Sequence, residues 1–492
     1  MSRTDYLNAM AKNKVSKEKQ KRRVLISFLG TGPSDQKGSE VRPMRVYRDA
    51  DYIIDNKIYN TSFVAAALAR HYEVDNIFMV GTVHSMWEEL YRWFHDAKSE
   101  KRVEDDDVSY AIYNTISEEC INANHKSELR IPHQKEIEEA MGGNSKVVLV
   151  KYGITESEIR ENINHILGLK NNLKRGDELI VDITHSFRSL PIFIMNLLVY
   201  LQDVSSIGVE ISHIHYGMLE IGGKGPGKEL ENVPVVDLKS MMEVQKWITG
   251  AYNFKEFGNA YLLAKLMEKE NRGSYASLAK LLKSFSEIKN LNYFSEFRSS
   301  VADLEPLCNK ESLPELGKEI IVPVMEKFVK RFSSRTSLYE YQFRMAEWHY
   351  NHHNYGYAFI NLVEAALTFC CELIPDDIIP QKLILGKNGE LLLDKNGEIR
   401  AGAKRKAIRR VLNYADEDKG VECIENLRNT LDFYMNAQNI KFSIFNDYYW
   451  KIDFNRNTIA HDLDRYKPKK YSDIIDDLDG GMLYFRSVFQ PS

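Results

Sequence analysis

The stretch Val24-Leu25-Ile26-Ser27-Phe28-Leu29-Gly30-Thr31-Gly32-Pro33-Ser34-Asp35 decides the reading of the N-terminal half. A near-continuous apolar run is what a strand buried on both faces requires, and its abrupt end in small and polar residues suits a loop that faces a ligand. The same grammar recurs downstream. Ile77-Phe78-Met79-Val80 runs into Gly81-Thr82-Val83-His84-Ser85, residues 146–152 form a third strand-like segment, and Leu179-Ile180-Val181-Asp182-Ile183-Thr184 leads into His185-Ser186-Phe187-Arg188. Residues 211–221 and 235–238 read as later strands around the Gly-rich turn at 222–227. Helices are predicted between them over 61–70, starting at Asn/Thr/Ser, over 84–94 with Trp87, Leu90, Tyr91 and Phe94 at helical spacing, over 155–169 and over 190–201. Strand and helix alternate from Val24 to about Leu238, which predicts an α/β, Rossmann-like domain with a mostly parallel sheet.

After Leu238 the pattern becomes helical, over 241–332 and 338–373. A short hairpin is expected at Leu391-Leu392-Leu393, between Gly386-Lys387-Asn388-Gly389 and Asp394-Lys395-Asn396-Gly397. The expected plan is a basic N-terminal tail (1–22), an α/β domain (23–238), a helical connector (239–344) and an all-α C-terminal domain (345–492). A chain of 492 residues is too long for one ordinary core, so several folding units follow from length alone.

Composition narrows the function classes. Hydrophobic residues at 43% and charged residues at 28% describe an ordinary globular protein. A net charge of -4 argues against gripping nucleic acid over the whole surface, so any RNA contact is local. Cys120, Cys308, Cys370, Cys371 and Cys423 show no Cys-x-x-Cys spacing, which indicates neither a disulfide framework nor a zinc site and fits a reducing cytoplasm. The lysine-rich start lacks a signal peptide's apolar stretch, and the run at 190–201 falls short of the roughly 20 residues that span a bilayer, so no membrane segment is expected.

Two groups of residues carry chemistry. At the carboxyl ends of the predicted strands, Gly30, Thr31, Gly32, Thr82, His84, Ser85, Thr184, His185, Ser186 and Arg188 offer glycine amides, hydroxyls and a planar cation, which together suit a phosphate-bearing ligand. Taken singly, Gly30-Thr31-Gly32 reads as well as a tight turn, and His185 as a hydrogen-bonded structural histidine. Because Pro33-Ser34-Asp35 follows the glycines, the full G-x-G-x-x-G spacing of a dinucleotide-binding dehydrogenase is missing. Near the C-terminus, Arg456-Asn457-Thr458-Ile459-Ala460-His461 sits in a helical stretch after Tyr448-Tyr449-Trp450. On an ideal helix Arg456 and His461 are about 140° apart in rotation and about 7.5 Å along the axis. One helix therefore does not converge them on one atom, whereas two copies packed about a two-fold axis can. Asn457 and His461 are i and i+4 and share a face. Histidine moves protons at the 2'-hydroxyl or the leaving 5'-oxygen, and arginine stabilises charge on phosphorus. Such chemistry needs no metal and spares DNA, which lacks the attacking hydroxyl. The plain alternative is a surface arginine and a core histidine.

The whole arrangement resembles the CARF-HEPN ribonucleases of type III CRISPR systems. The resemblance rests on 25–32, on Tyr59-Asn60-Thr61-Ser62-Phe63 with Gly81-Thr82-Val83-His84-Ser85-Met86-Trp87, and on Asp182-Ile183-Thr184-His185-Ser186-Phe187-Arg188. In the C-terminal half it rests on 456–461 and on an upstream helix at 355–367 that looks like the family's first HEPN helix. It implies an N-terminal CARF sensor, a C-terminal HEPN ribonuclease and a cytoplasmic homodimer, or a higher multiple of dimers. A cyclic oligoadenylate activator, by preference cyclic tetra-adenylate, would bind across the two sensors, and RNA would be cut by Arg456, Asn457 and His461, with no resident metal or cofactor. Ser186 stands where the family often has glycine, which leaves the ring size open. Two other readings remain: a nucleotide sensor acting as regulator or scaffold without nuclease activity, and a sensor that also cleaves its ring.

Overall fold

The computed structural model describes residues 21–32, 49–185, 190–224, 230–270, 273–309, 311, 313–332, 337–414, 421–461 and 470–490. The chain divides into two compact units, Met1–Val244 and Gln245–Ser492.

The first unit is built on β1 (Arg23–Leu29), β2 (Ala50–Ile54), β3 (Lys57–Thr61), β4 (Asn76–Gly81), β5 (Lys146–Leu149), β6 (Glu178–Asp182), β7 (Glu210–Gly217), β8 (Gly223–Lys224) and β9 (Leu230–Asp237). They form one mixed sheet in the order β3-β2-β9-β7-β6-β1-β4-β5, with β8 on β9. The joints β1–β4, β4–β5, β1–β6, β6–β7 and β2–β9 are parallel, whereas β2–β3, β7–β9 and β8–β9 are antiparallel. β1 lies inside the sheet, and its alternation splits the core in two. Leu25 and Leu29 join the apolar side chains of helices Val64–His71, Trp87–Lys98, Asp107–Asn122 and Gln134–Met141 on one face. Val24, Ile26 and Phe28 pack with helices Glu156–Gly168 and Leu190–Val199 on the other. Burial on both faces is why this strand reads as a continuous apolar run.

Several local expectations are corrected. The helix predicted over 61–70 begins only at Val64, because Thr61 ends β3 of a tight hairpin. Its turn residues Asp55 and Asn56 both have positive φ, at 47° and 63°, as a two-residue hairpin turn demands. The helix expected from His84 starts at Trp87, since Ser85 and Met86 still bond back to Thr82 and Gly30. Arg22, read as part of a solvated tail, instead forms an ion pair with the buried Asp177. Where the reading was sound the cap is visible: the Thr155 hydroxyl accepts the Glu158 N–H at 3.2 Å and opens helix Glu156–Gly168.

The described part of the second unit is helical, with a short bridged excursion at Leu385↔Leu391 and Leu393↔Ile399 where a hairpin was expected. It holds two apolar cores. One gathers Trp247, Phe254, Phe285, Phe297, Phe328 and Trp348, and the other runs from Phe343 and Phe359 through Tyr449 to Phe489. Helix Leu338–Asn351 belongs to both, presenting Tyr341, Met345 and Trp348 to the first core and Phe343 and Ala346 to the second. Such two-sided burial follows from 3.6-residue periodicity. Most of the first of these cores is drawn from residues 247–332, within the segment expected as a helical connector (239–344), with Met345 and Trp348 added from just beyond it. Helix Tyr355–Leu373 is long and apolar enough to cross a bilayer, a property the sequence reading overlooked. Here it is the central element of the second core.

Candidate functional site

β1 is a switch point of the sheet: after the β2–β3 hairpin at the far edge, the chain adds β4 and β5 on one side of β1 and then β6 and β7 on the other. In open α/β sheets such a switch point opens a crevice beyond the carboxyl ends of the strands, and the three candidate loops all lie at that end. They are tied together from within. Asp182, fully buried, closes β6 and accepts the Ser27 hydroxyl of β1 at 2.5 Å. Its other oxygen accepts the Thr184 N–H at 2.9 Å and the Thr184 hydroxyl at 2.6 Å. Thr184 Oγ1 in turn accepts the Gly217 N–H at 2.8 Å, so the loop after β6 is pinned to β7.

Gly32 has a φ of +68°, and a Cβ there would fall 2.1 Å from Met86 Sδ, so this position needs glycine for both conformation and space. Gly30 accepts the Met86 N–H at 3.1 Å, which joins the first loop to the second. Thr31 and Gly32 are partly exposed at its edge. Thr82 and Ser85 are brought to the same end but turned inward. Both are buried, the Ser85 hydroxyl donates to the Leu29 carbonyl at 2.7 Å and accepts the Thr82 N–H at 3.0 Å, and the Thr82 carbonyl accepts the Trp87 indole N–H at 2.8 Å. Their side chains hold the turn instead of lining a rim. His84, partly buried, places Nδ1 2.8 Å from the Cys120 carbonyl. His185 is held below the usual histidine range by burial, against the pull of the Asp182 carboxylate, and is neutral near pH 7. Ser186 and Arg188 lie outside the described residues.

Replacing Asp182 with alanine would strand the Ser27 hydroxyl and the Thr184 N–H. We expect a loss of about 2–3 kcal/mol in chemical unfolding of the first unit, with weakened ligand binding. An unfolding midpoint equal to that of the parent would remove Asp182 as the organiser of these loops.

In the second unit the candidate catalytic residues Arg456, Asn457 and His461 all belong to helix Phe442–His461. The side chain of His461 is outside the described set. Asp453, only 4% exposed, is the centre of the arrangement. It pairs with the Arg456 guanidinium one turn away and accepts Asn457 Nδ2 at 3.4 Å. From helix Ala401–Leu412 and the residue that follows it, Arg409 reaches Asp453 at 3.2 Å and Asn413 Nδ2 at 3.2 Å. Arg409 and Arg456 thus share one buried carboxylate, with Arg456 about one-fifth exposed. Beside them Arg405 pairs with Glu364 of the long apolar helix Tyr355–Leu373. Helix Phe442–His461 is also tied to helix Tyr471–Phe489 by Asn455, which donates to Asp477 at 2.8 Å. A carboxylate that holds a guanidinium at fixed orientation leaves the remaining N–H groups directed for an anion.

Residues 24–220 match the family described as CRISPR system endoribonuclease Csx1, CARF domain. Residues 24–220 are thus a CARF domain similar to that of CRISPR-associated proteins. Residues 243–337 match a separate family, CRISPR-associated protein MJ1674, second domain. The CRISPR-associated protein MJ1674 of Methanocaldococcus jannaschii is 33% identical over 365 residues, 71% of this chain and 54% of that protein, so the chain spans about half the length of this relative. Among solved structures, Enterococcus italicus Csm6 bound to cyclic hexa-2'-fluoro-hexa-dAMP matches 96% of this chain and 95% of that one, at 10% identity and a TM-score of 0.35.

The sequence reading of this CARF protein missed the two acids that organise both sites. Asp182 stood inside a quoted motif but was not assigned a role, although an acid ending a buried strand needs a partner. Asp453 is i−3 to Arg456 and i−4 to Asn457, a helical spacing that was open to inspection. Arg409 and Asn413, 44 and 40 residues upstream of Asp453, gave no such signal.

Proposed function

We propose that this CARF protein is a metal-independent endoribonuclease, switched on by a cyclic oligoadenylate in type III CRISPR antiviral defence. In this reading the CARF sensor is 23–238, the helical connector 239–344 and the HEPN ribonuclease 345–492, acting as a cytoplasmic homodimer. Cyclic tetra-adenylate is the proposed ring, bound across two sensors by Gly30, Thr31, Gly32, Thr184, His185, Ser186 and Arg188, with Thr82, His84 and Ser85 shaping the loop behind them. RNA cleavage is assigned to Arg456, Asn457 and His461.

The observation that carries the proposal is the buried Asp453, which holds Arg456 and Asn457 in a fixed polar cluster within a chain that also bears a CARF domain. Arginine so restrained stabilises charge on a phosphorane-like transition state, and the histidine supplies proton transfer. Pairing of two chains is supported by an apolar patch on the same helix. Trp450 is 51% exposed and stacks on Phe454. Helical periodicity sets positions 457 and 461 on the same stripe. Covering that stripe with a second copy would bring two sets of residues to one cleft.

The test is chemical. The full chain is incubated in chelator with cyclic tetra-adenylate and end-labelled single-stranded RNA, and the product ends are analysed. Fragments ending in 2',3'-cyclic phosphate with 5'-hydroxyl partners are expected, and DNA of the same sequence should remain intact. Fragments ending in 3'-hydroxyl, or cleavage that needs added metal, would overturn the mechanism.

A further inference from the structure

Beside the loop after β6, where His215 pairs in register with Asp182, three side chains with metal-binding atoms meet on the first unit's sheet. His213 and His215 are i and i+2 on β7 and so lie on one face, with their rings stacked at 5.3 Å and 10°. β9 runs antiparallel beside β7 and pairs Asp237 with His215, which delivers a carboxylate to the same spot. One ligand atom from each of the three lies within 4.8 Å of the others.

The surroundings are those of a held site. Asp237 Oδ1 accepts the Ile214 N–H at 3.1 Å and the Lys239 N–H at 2.9 Å, leaving Oδ2 to face His213 Nδ1 at 2.7 Å. His215 is 3% exposed and its Nε2 meets the Tyr72 hydroxyl at 2.8 Å. Tyr72 also stacks on both imidazoles, at 4.6 Å and 5.4 Å, and fixes their planes.

We propose that His213, His215 and Asp237 form a binding site for one divalent transition metal of the zinc class, distinct from the RNA-cleaving residues. Two imidazoles and one carboxylate are the donor set that zinc and cobalt accept in four-coordinate geometry, with water in the fourth position. Tyr72 and the two backbone N–H groups supply the outer hydrogen bonds that orient ligands in such sites. The ion would join the middle of β7 to the end of β9, directly before helix Ser240–Phe257 leaves the sheet. The sequence offered only a His-x-His pair, since its third ligand is 22 residues further along.

The experiment uses the full chain, freed of any affinity tag and stripped with chelator, titrated with Co2+ alone and followed by visible absorption and by thermal unfolding. One equivalent per chain, giving the absorption of a four-coordinate nitrogen–oxygen site and a raised melting temperature, is expected. His213→Gln and Asp237→Asn, both at partly exposed side chains, should lose that stoichiometric signal while their stripped forms melt like the stripped parent. Tyr72→Phe should weaken binding roughly ten- to hundredfold, as loss of an outer hydrogen bond does. Binding that is absent in the parent, that persists unchanged in His213→Gln and Asp237→Asn, or that shows thiolate absorption would each overturn the proposal.

Discussion

Replacing His461 with alanine is expected to lower ring-activated RNA cleavage by about a hundredfold to ten-thousandfold, the usual contribution of a positioned proton-transfer group. Binding of the cyclic oligoadenylate should be unchanged, because position 461 belongs to the second unit and the ring loops to the first. Single-turnover cleavage of a labelled RNA, together with calorimetric titration of the ring, separates the two effects. Cleavage at the parental rate by His461→Ala would remove the assigned active site. Loss of ring binding as well would point to a general folding defect instead.

The second large effect belongs to Asp453, whose importance is visible only in three dimensions. Its carboxylate is buried and shared by Arg409 and Arg456, with Asn413 and Asn457 completing the shell. Asp453→Asn keeps the shape and removes the charge, so Arg456 loses its anchor without a cavity being opened. We expect a fall of about a hundredfold to a thousandfold, the range seen when one preorganised electrostatic group is lost, and mainly in kcat rather than KM. Arg456→Lys should be nearly as damaging, since an ammonium cannot reproduce the planar fork that the carboxylate orients. Both variants are measured by steady-state cleavage at saturating ring, with thermal unfolding as the control for folding. A Asp453→Asn enzyme with parental kcat would mean that the cluster is structural only.

How much of this was legible in the sequence differs between the units. β1, β4 and β6 are buried on both faces, so their apolar runs announced themselves, and the parallel order followed from the intervening helices. The β2–β3 hairpin was lost because its strands lie near the edge, where polar residues such as Asp51, Lys57 and Asn60 break the apolar pattern. Its Asp55-Asn56 turn was the available signal. The inward orientation of Thr82 and Ser85 could not be read either. A hydroxyl after a strand looks the same whether it faces a ligand or, as here, the carbonyl of a neighbouring strand.

The helical half was recognised by periodicity but not resolved into cores. Helix Leu338–Asn351 is apolar on two sides, which in sequence merely weakens the amphipathic pattern. The polar centres at Asp182 and Asp453 were hidden for a related reason: a buried acid is identified by its partners, and those partners are supplied by distant segments. Long-range convergence also explains why His213, His215 and Asp237 went unnoticed.

Coupling between ring and nuclease requires that the ring bind one arrangement of the paired sensors more tightly than another, because only differential affinity shifts an equilibrium. The most direct measurement is therefore the RNA cleavage rate of the unmodified full chain with no ring, with cyclic tetra-adenylate and with cyclic hexa-adenylate, each added separately at saturation. Negligible cleavage without ring and strong activation by cyclic tetra-adenylate is the expected outcome. Equal rates in all three reactions would contradict the proposed link between sensor and nuclease.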